Sequence, residues 1–378
     1  VISWTSLSPR LSIAVPFGLR SAETRIFAGF PRYHHLLPAR YANYANPNSL
    51  GAEIFEWRDT NHDGVYQSGE EGALLRVLGG PYSSIDRHLQ RPHTDEMTTG
   101  VDHRLGRRIQ AALRLFHRNT SRLVETVNVG VPFDAYTPVR IDDLGDDNVA
   151  GTRDDQTLTV YNRNSQALGK DRYLLTNPDG FETSSKGLEA WLRVGLGNRG
   201  SVTASLLAYK ATGQSSPGNG EFENDAGIIG TLFDDPNTLL NAFGRLYFDR
   251  AYVGKLLGWA EAPGRLQLGW VIKYFDGLPF GRKLIVSGLN QGPIFVMATP
   301  RGQPGGLRTQ YHLTFDQRIG REFHCGSMRC SLVVDFFNLL NKSSRLREHD
   351  ISGSLFPLRL PTEILNPRAI RFGFRLDY

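Results

Sequence analysis

Residues 265–275 read RLQLGWVIKYF, and the character of the side chains alternates along them. Leu266, Leu268, Trp270, Ile272 and Tyr274 fall on one side, with Arg265, Gln267, Gly269 and Lys273 on the other. A strand with one apolar face gives a period of two; a helix would repeat every three to four residues. The pattern recurs. In RRIQAALRLFHR, Ile109, Ala111, Leu113 and Leu115 oppose Arg108, Gln110, Ala112 and Arg114. In LRTQYHLTFDQRI, Leu307, Tyr311, Leu313, Phe315 and Ile319 oppose Arg308, Gln310, His312, Asp316 and Arg318. In the closing RAIRFGFRLDY, Ile370, Phe372, Phe374, Leu376 and Tyr378 share a face.

These runs are about ten to thirteen residues long, where strands of globular proteins average about five or six. A tilted strand crossing a bilayer needs roughly nine to eleven. The alternation places strands near 8–16, 25–36, 94–105, 107–119, 172–195, 200–212, 240–258, 265–277, 307–321, 329–340 and 366–378. Joins are short after 16, 105, 195, 258 and 321. They are long after 36, 119, 212, 277 and 340, giving loops near 37–93, 120–171, 213–239, 278–306 and 341–365. Tight turns at one end and long loops at the other characterise barrels that span the outer membrane. A soluble sandwich has no reason to keep its long loops at one end.

The expected fold is therefore all-β: an antiparallel transmembrane barrel with short periplasmic turns and long extracellular loops. Both ends of such a barrel face the periplasm, which requires an even strand count, and this chain shows about eleven. It starts at Val1 in what reads as mid-strand, so the expectation is the C-terminal half of a larger barrel.

Composition agrees. The chain has 378 residues, 40 Gly, 20 Pro, 11% aromatics and a mean hydropathy of -0.32, and no run of about eighteen apolar residues. Forty-three basic residues face 38 acidic ones without a basic cluster, so no nucleic-acid partner is expected. Arg outnumbers Lys 36 to 7, which suits a crowded polar interior, because a guanidinium keeps its charge and pairs in bidentate fashion.

The two cysteines, Cys325 and Cys330, flank a tight turn in FHCGSMRCSL. A disulfide across the end of a hairpin is the first reading; free thiols, or zinc held with His324, are the others.

Four stretches carry a family resemblance: LSPRLSIAV near the start, YFDGLPFGR at 274–282, VDFFNLLNKS ending at Ser343, and the closing aromatic strand. By these the chain resembles the C-terminal barrel of a TonB-dependent outer-membrane receptor of the Oar-like kind. The resemblance implies a barrel of about twenty-two strands and energy-coupled import of a scarce or bulky ligand. It implies TonB as partner through a plug and coupling segment that this sequence lacks. It also implies that Phe372, Phe374, Leu376 and Tyr378 signal to the barrel assembly machinery. The remaining partner is outer-membrane lipid.

Within the first long loop, DTNHDGVYQSGE (59–70) has the twelve-residue spacing of an EF-hand calcium loop. Asp59, Asn61, Asp63 and Glu70 would offer side-chain oxygens, Val65 its carbonyl, and Gln67 a contact through water, with Gly64 at the bend. A weaker copy, DLGDDNVAGTRD (143–154), offers Asp143, Asp147, Val149 and Asp154. Its Gly145, Asn148 and Asp154 depart from the pattern. Without flanking helices these loops read as structural calcium clips rather than sensors. The alternative for each is an acidic turn without metal.

Other motifs fall away. GLGNRG at 195–200 fits a dinucleotide fingerprint, but the alternating SVTASLLAY that follows is a strand, so the glycines form a hairpin turn. His34 and His35 point to opposite faces of a strand. No hydrolase elbow, HExxH or P-loop is present, and no enzyme is expected. Trp57, Tyr66, Tyr82, Phe222 and Phe233 lie in long loops, where they contact a ligand or pack on the loops themselves. Two other classes compete with the receptor: a passive porin-like or structural barrel, and a secreted calcium-stabilised β-sandwich or adhesin.

Overall fold

The computed structural model of the chain describes residues 3–19, 22–214, 229–302, 307–326 and 328–377. Eleven strands form one antiparallel sheet in chain order. They are β1 (Arg10–Leu19), β2 (Ala22–His34), β3 (His93–Leu105), β4 (Ile109–Ser121), β5 (Thr183–Gly195) and β6 (Gly200–Gln214). Then come β7 (Tyr252–Ala262), β8 (Leu266–Phe275), β9 (His312–Cys325), β10 (Met328–Phe337) and β11 (Ala369–Asp377). A short segment, Phe243–Arg245, also pairs with β6. Strands of this length follow from unbroken alternation with prolines kept almost wholly in the joins.

Register carries the alternation across the whole sheet. Directly opposed residues of an antiparallel pair share a face, so the pairs can be followed from strand to strand. Ile109 opposes Val194, which opposes Val202; Val202 opposes Gly258, which opposes Trp270. On the far side Leu268 opposes Ile319, Ile319 opposes Val334, and Val334 opposes Phe372. Towards the start, Leu113 opposes Val101, Val101 opposes Ile26, and Ile26 opposes Val15. One face is thus apolar from β1 to β11. Its residues are open to the surroundings, Phe372 at 74% and Phe374 at 65% of full exposure, and none of Ile109, Leu266 or Trp270 is buried.

The opposite face is laced with charge. Asp335 on β10 receives bidentate donation from Arg318 on β9, at 2.6 and 3.0 Å, and further donation from Arg371 on β11 at 2.7 Å. Arg25 reaches Asp102 at 2.6 Å, and Arg118 reaches Glu96 at 2.5 Å. A sheet with one apolar face open and the other holding cross-strand ion pairs is the reverse of a soluble sandwich, whose apolar faces meet each other.

The short joins sit at 20–21, 106–108, 196–199, 263–265 and 326–327, and the long ones span 35–92, 122–182, 215–251, 276–311 and 338–368. Glycines 195–200 fall at the β5–β6 turn. Three expected strands are corrected. The run expected at 172–195 is two elements, Tyr173–Thr176 and β5, because Asn177-Pro178-Asp179-Gly180 turns the chain and Gly180 takes φ 70. The run at 240–258 reduces to Phe243–Arg245 and a later β7. The run at 307–321 starts at His312, because Leu307–Tyr311 belong to the loop.

Candidate functional site

The long joins are not slack. Four of them fold into small sheets of their own: the hairpins Gly51–Trp57 with Glu71–Gly79, Tyr136–Asp143 with Gln156–Arg163, Lys283–Val286 with Ile294–Met297, and Arg345–Glu348 with Pro361–Ile364. A three-stranded unit joins Ser83–Ile85, Tyr173–Thr176 and Glu125–Asn128. Small apolar cores hold them. Tyr41, Leu89, Val124 and Leu175 form one; Val160, Val286 and Val296 form another.

Buried charges tie the loops to each other. Arg163 and Asp171 are 1% and 0% exposed and pair at 2.8 Å. Asp171 also accepts from Asn128 Nδ2 at 2.8 Å and from the Val77 amide at 3.1 Å. Arg163 donates to the Tyr136 hydroxyl at 3.1 Å. Three long-loop segments therefore meet on one carboxylate. Such a pair is stabilising only when its hydrogen bonds are nearly complete, as the Asp171 side is here.

Residues 59–70 close the tip of the first hairpin. Gly64 sits at φ 72 with open space around it, so the left-handed bend rather than crowding calls for glycine. The Asp59 carboxylate accepts from the amides of Asp63 and Gly64, at 3.2 and 2.9 Å. Asn61 Oδ1 accepts from the Asp63 amide, and Asp63 Oδ1 from the Val65 amide at 2.7 Å. Gln67 donates to Asp63 at 2.5 Å. Glu70 alone is buried; Trp57 Nε1 at 3.0 Å and the amides of Thr60 and Gln67 donate to it. These donors, Trp57 first, hold its carboxyl below the usual glutamate range. The candidate ligands are all oxygens, three of them carboxylates, as suits a hard cation. Both Asp59 oxygens and Asp63 Oδ1 each accept one hydrogen bond and keep a second lone pair, whereas Asp63 Oδ2 and both Glu70 oxygens already accept two. Among the described residues, no three His, Cys, Asp or Glu side chains converge on a common point.

The second loop is built differently. Asp143 is buried and both its oxygens accept from Arg282, the Nη2 bond being 2.7 Å; Gln156 adds a donor at 2.8 Å. The first carboxylate of that loop thus answers a guanidinium. Asp147 accepts from the Val149 amide at 2.9 Å, and Asp154 from Thr152 at 2.7 Å. Asn148 takes the left-handed bend at φ 58.

The loop aromatics pack on the loops. Tyr82 donates to Glu53 at 2.7 Å, Tyr66 donates to Glu71, and Phe233 meets Phe181 edge-on at 5.3 Å. Phe222 lies outside the described residues. Cys330 is buried and disulfide-bonded; the side chain of Cys325 lies outside the described ones, as does Tyr378. His34 and His35 turn to different partners, Ser8 at 3.0 Å and Thr94 at 2.8 Å.

Among solved structures, the siderophore receptor PirA from Acinetobacter baumannii superposes with a TM-score of 0.51 and 12% identity, over 98% of this chain and 40% of that one. The ferric enterobactin receptor PfeA from Pseudomonas aeruginosa, in complex with enterobactin, gives 0.51, 13%, 98% and 40%. The fold is that of an outer-membrane receptor barrel. The chain spans 40% of the length of these two receptors. No protein-family model and no curated protein sequence matches it. In barrels of this fold the face that corresponds to the charged side of β1–β11 turns inward, and the long joins of this chain all lie at one end of the strands.

Proposed function

We propose that the chain is the C-terminal part of an outer-membrane, TonB-dependent receptor that imports a ligand captured at the long-loop rim. One observation carries the reading: one predominantly apolar face continues across all eleven strands, its charges confined to positions near the strand ends, while the opposite face is ion-paired. Only lipid accommodates the first, and only a wet or protein-filled lumen accommodates the second. A secreted sandwich would have to bury that face, and it does not. The likeness to siderophore receptors makes a ferric chelate the first ligand to try. The plug and coupling segment would come from sequence outside this chain, and the exposed Phe372, Phe374 and Leu376 support recognition of the last strand by the assembly machinery.

Calcium belongs to this reading as a stiffener of the first loop. On binding, Asp59, Asn61, Asp63, the Val65 carbonyl and Glu70 would turn oxygens inward around Gly64, with Gln67 acting through water. The cation would supply positive charge to a loop tip rich in carboxylate. The second loop carries no such proposal, because Arg282 already supplies that charge to Asp143.

The test is uptake of radiolabelled iron chelates by cells expressing the full-length protein, with and without TonB. Uptake that needs TonB supports the proposal. Diffusive permeation that ignores TonB would favour a passive barrel, and a folded product without detergent would sink both.

A further inference from the structure

Near its long-loop end the apolar face is broken by a cluster of charge that has no counterpart; the isolated Arg321 lies on the same face near the short-turn end. Lys186 on β5 lies directly opposite Lys210 on β6, and His117 on β4 lies directly opposite Lys186 on the other side. All three share the face of Leu115, Leu188 and Ala208, and all three are exposed. They sit three or four residues inside the strand ends that carry long loops. Neither lysine forms an ion pair among the described residues. The register puts one carboxylate on this face of the described strands, Asp95, and Arg32 already holds it at 2.6 Å.

Like charges directly opposite each other weaken a sheet, and an ammonium beside hydrocarbon is worse placed than one in water. Next to the pair runs a groove of 1030 Å³, crossing the sheet from β1 to β7 and lined by Ile13, Phe30, Met97, Leu115 and Leu188, with both lysines at its rim. We propose that Lys186, Lys210 and this groove dock a phosphorylated lipid of the outer leaflet, its phosphate between the two ammonium groups and an acyl chain along the groove. His117 adds a third polar group beside them. The groove argues for a lipid over a free anion, since an anion would use the charges and leave the apolar lining open. The long stems of lysine let the charges rise to headgroup level.

This rests on the reading that the apolar face meets lipid, and the experiment separates the two. Full-length receptor is purified in neutral maltoside micelles and titrated with phosphatidic acid, with diacylglycerol of the same chains, and with inorganic phosphate as competitor. We expect phosphatidic acid to bind at least about tenfold more tightly than diacylglycerol. The preference should vanish in the K186Q/K210Q double variant, persist in K186R/K210R, and survive inorganic phosphate. Equal affinity for both lipids, or a preference untouched in the glutamine variant, overturns the proposal. Full competition by inorganic phosphate also overturns it, leaving a free-anion site. The glutamine variant should be at least as heat-stable as wild type in detergent, because it loses a repulsion; if it fails to fold, loss of the preference at high salt in wild type reads the same contact. A receptor that folds and stays monomeric without detergent would instead remove the membrane reading beneath it.

Discussion

At the residue scale the first loop turns on Glu70, the one buried carboxylate among its oxygens. Converting it to Gln removes a charge and keeps the shape, and its one remaining oxygen can accept from either the Trp57 side or the Thr60 side but not both. With calcium binding in the range of about 0.1–1 mM, as for extracellular modules, Glu70→Gln should weaken it about tenfold in a calorimetric titration, roughly one charged contact. Unchanged affinity would remove Glu70 from the site. A second residue-scale prediction concerns Glu125 and Asp234, buried in the loop layer. Desolvation raises Glu125 to about 7 and Asp234 to about 6. Thr126 donates to Asp234 at 2.8 Å, and the Gly230 amide to Glu125 at 2.9 Å. An acid whose folded pKa lies above its unfolded value stabilises the fold below the unfolded pKa and loses that contribution as pH rises through the folded one. The loop layer should therefore protect its amides better at pH 5 than at pH 8 in hydrogen exchange, and Glu125→Gln should flatten the difference. Neither acid was legible in the sequence, because RLVETVN gives no sign that its glutamate is buried. The Asp59–Glu70 spacing was legible, since a local loop writes its ligands in order. The partner of Asp143 was not: Arg282 lies far along the chain.

At the element scale each strand asks for opposite things on its two faces. Leu113 on β4 faces outward, while Thr203 on β6 faces the ion-paired side. Leu113→Arg should lower unfolding free energy by about 2–4 kcal/mol in detergent or bilayer, the penalty for arginine near mid-membrane. Thr203→Arg, into a polar lumen, should stay within about 1 kcal/mol. Equal effects would mean that the two faces are not distinguished by solvent. The long strands were readable because a period of two over ten residues is hard to produce by chance. Their ends were less so: the turn at 177–180 announced itself with Pro178 and Gly180, yet the apolar run beyond it masked the break. The loop hairpins stayed hidden for a different reason. Gly51–Trp57 is exposed along its whole length and Tyr136–Asp143 along most of it, so neither has one buried face to write a clean alternation.

At the scale of the whole molecule the sheet is open. Among the described residues β1 pairs only with β2, and β11 only with β10, so each leaves a full row of amides and carbonyls without partners. In hydrocarbon an unpaired backbone group costs several kcal/mol, and in water an exposed apolar edge invites aggregation. Nine or ten residues of open edge on each side outweigh the 5–15 kcal/mol by which a folded domain is usually stable. The sheet is stable in a bilayer only when further strands close it. Residues 1–378 refolded alone should therefore give no compact, heat-modifiable species on a detergent gel, whereas the same residues within a complete barrel should. A compact, heat-modifiable band from this chain alone would show that β1 and β11 find each other, making a smaller closed barrel rather than part of a larger one.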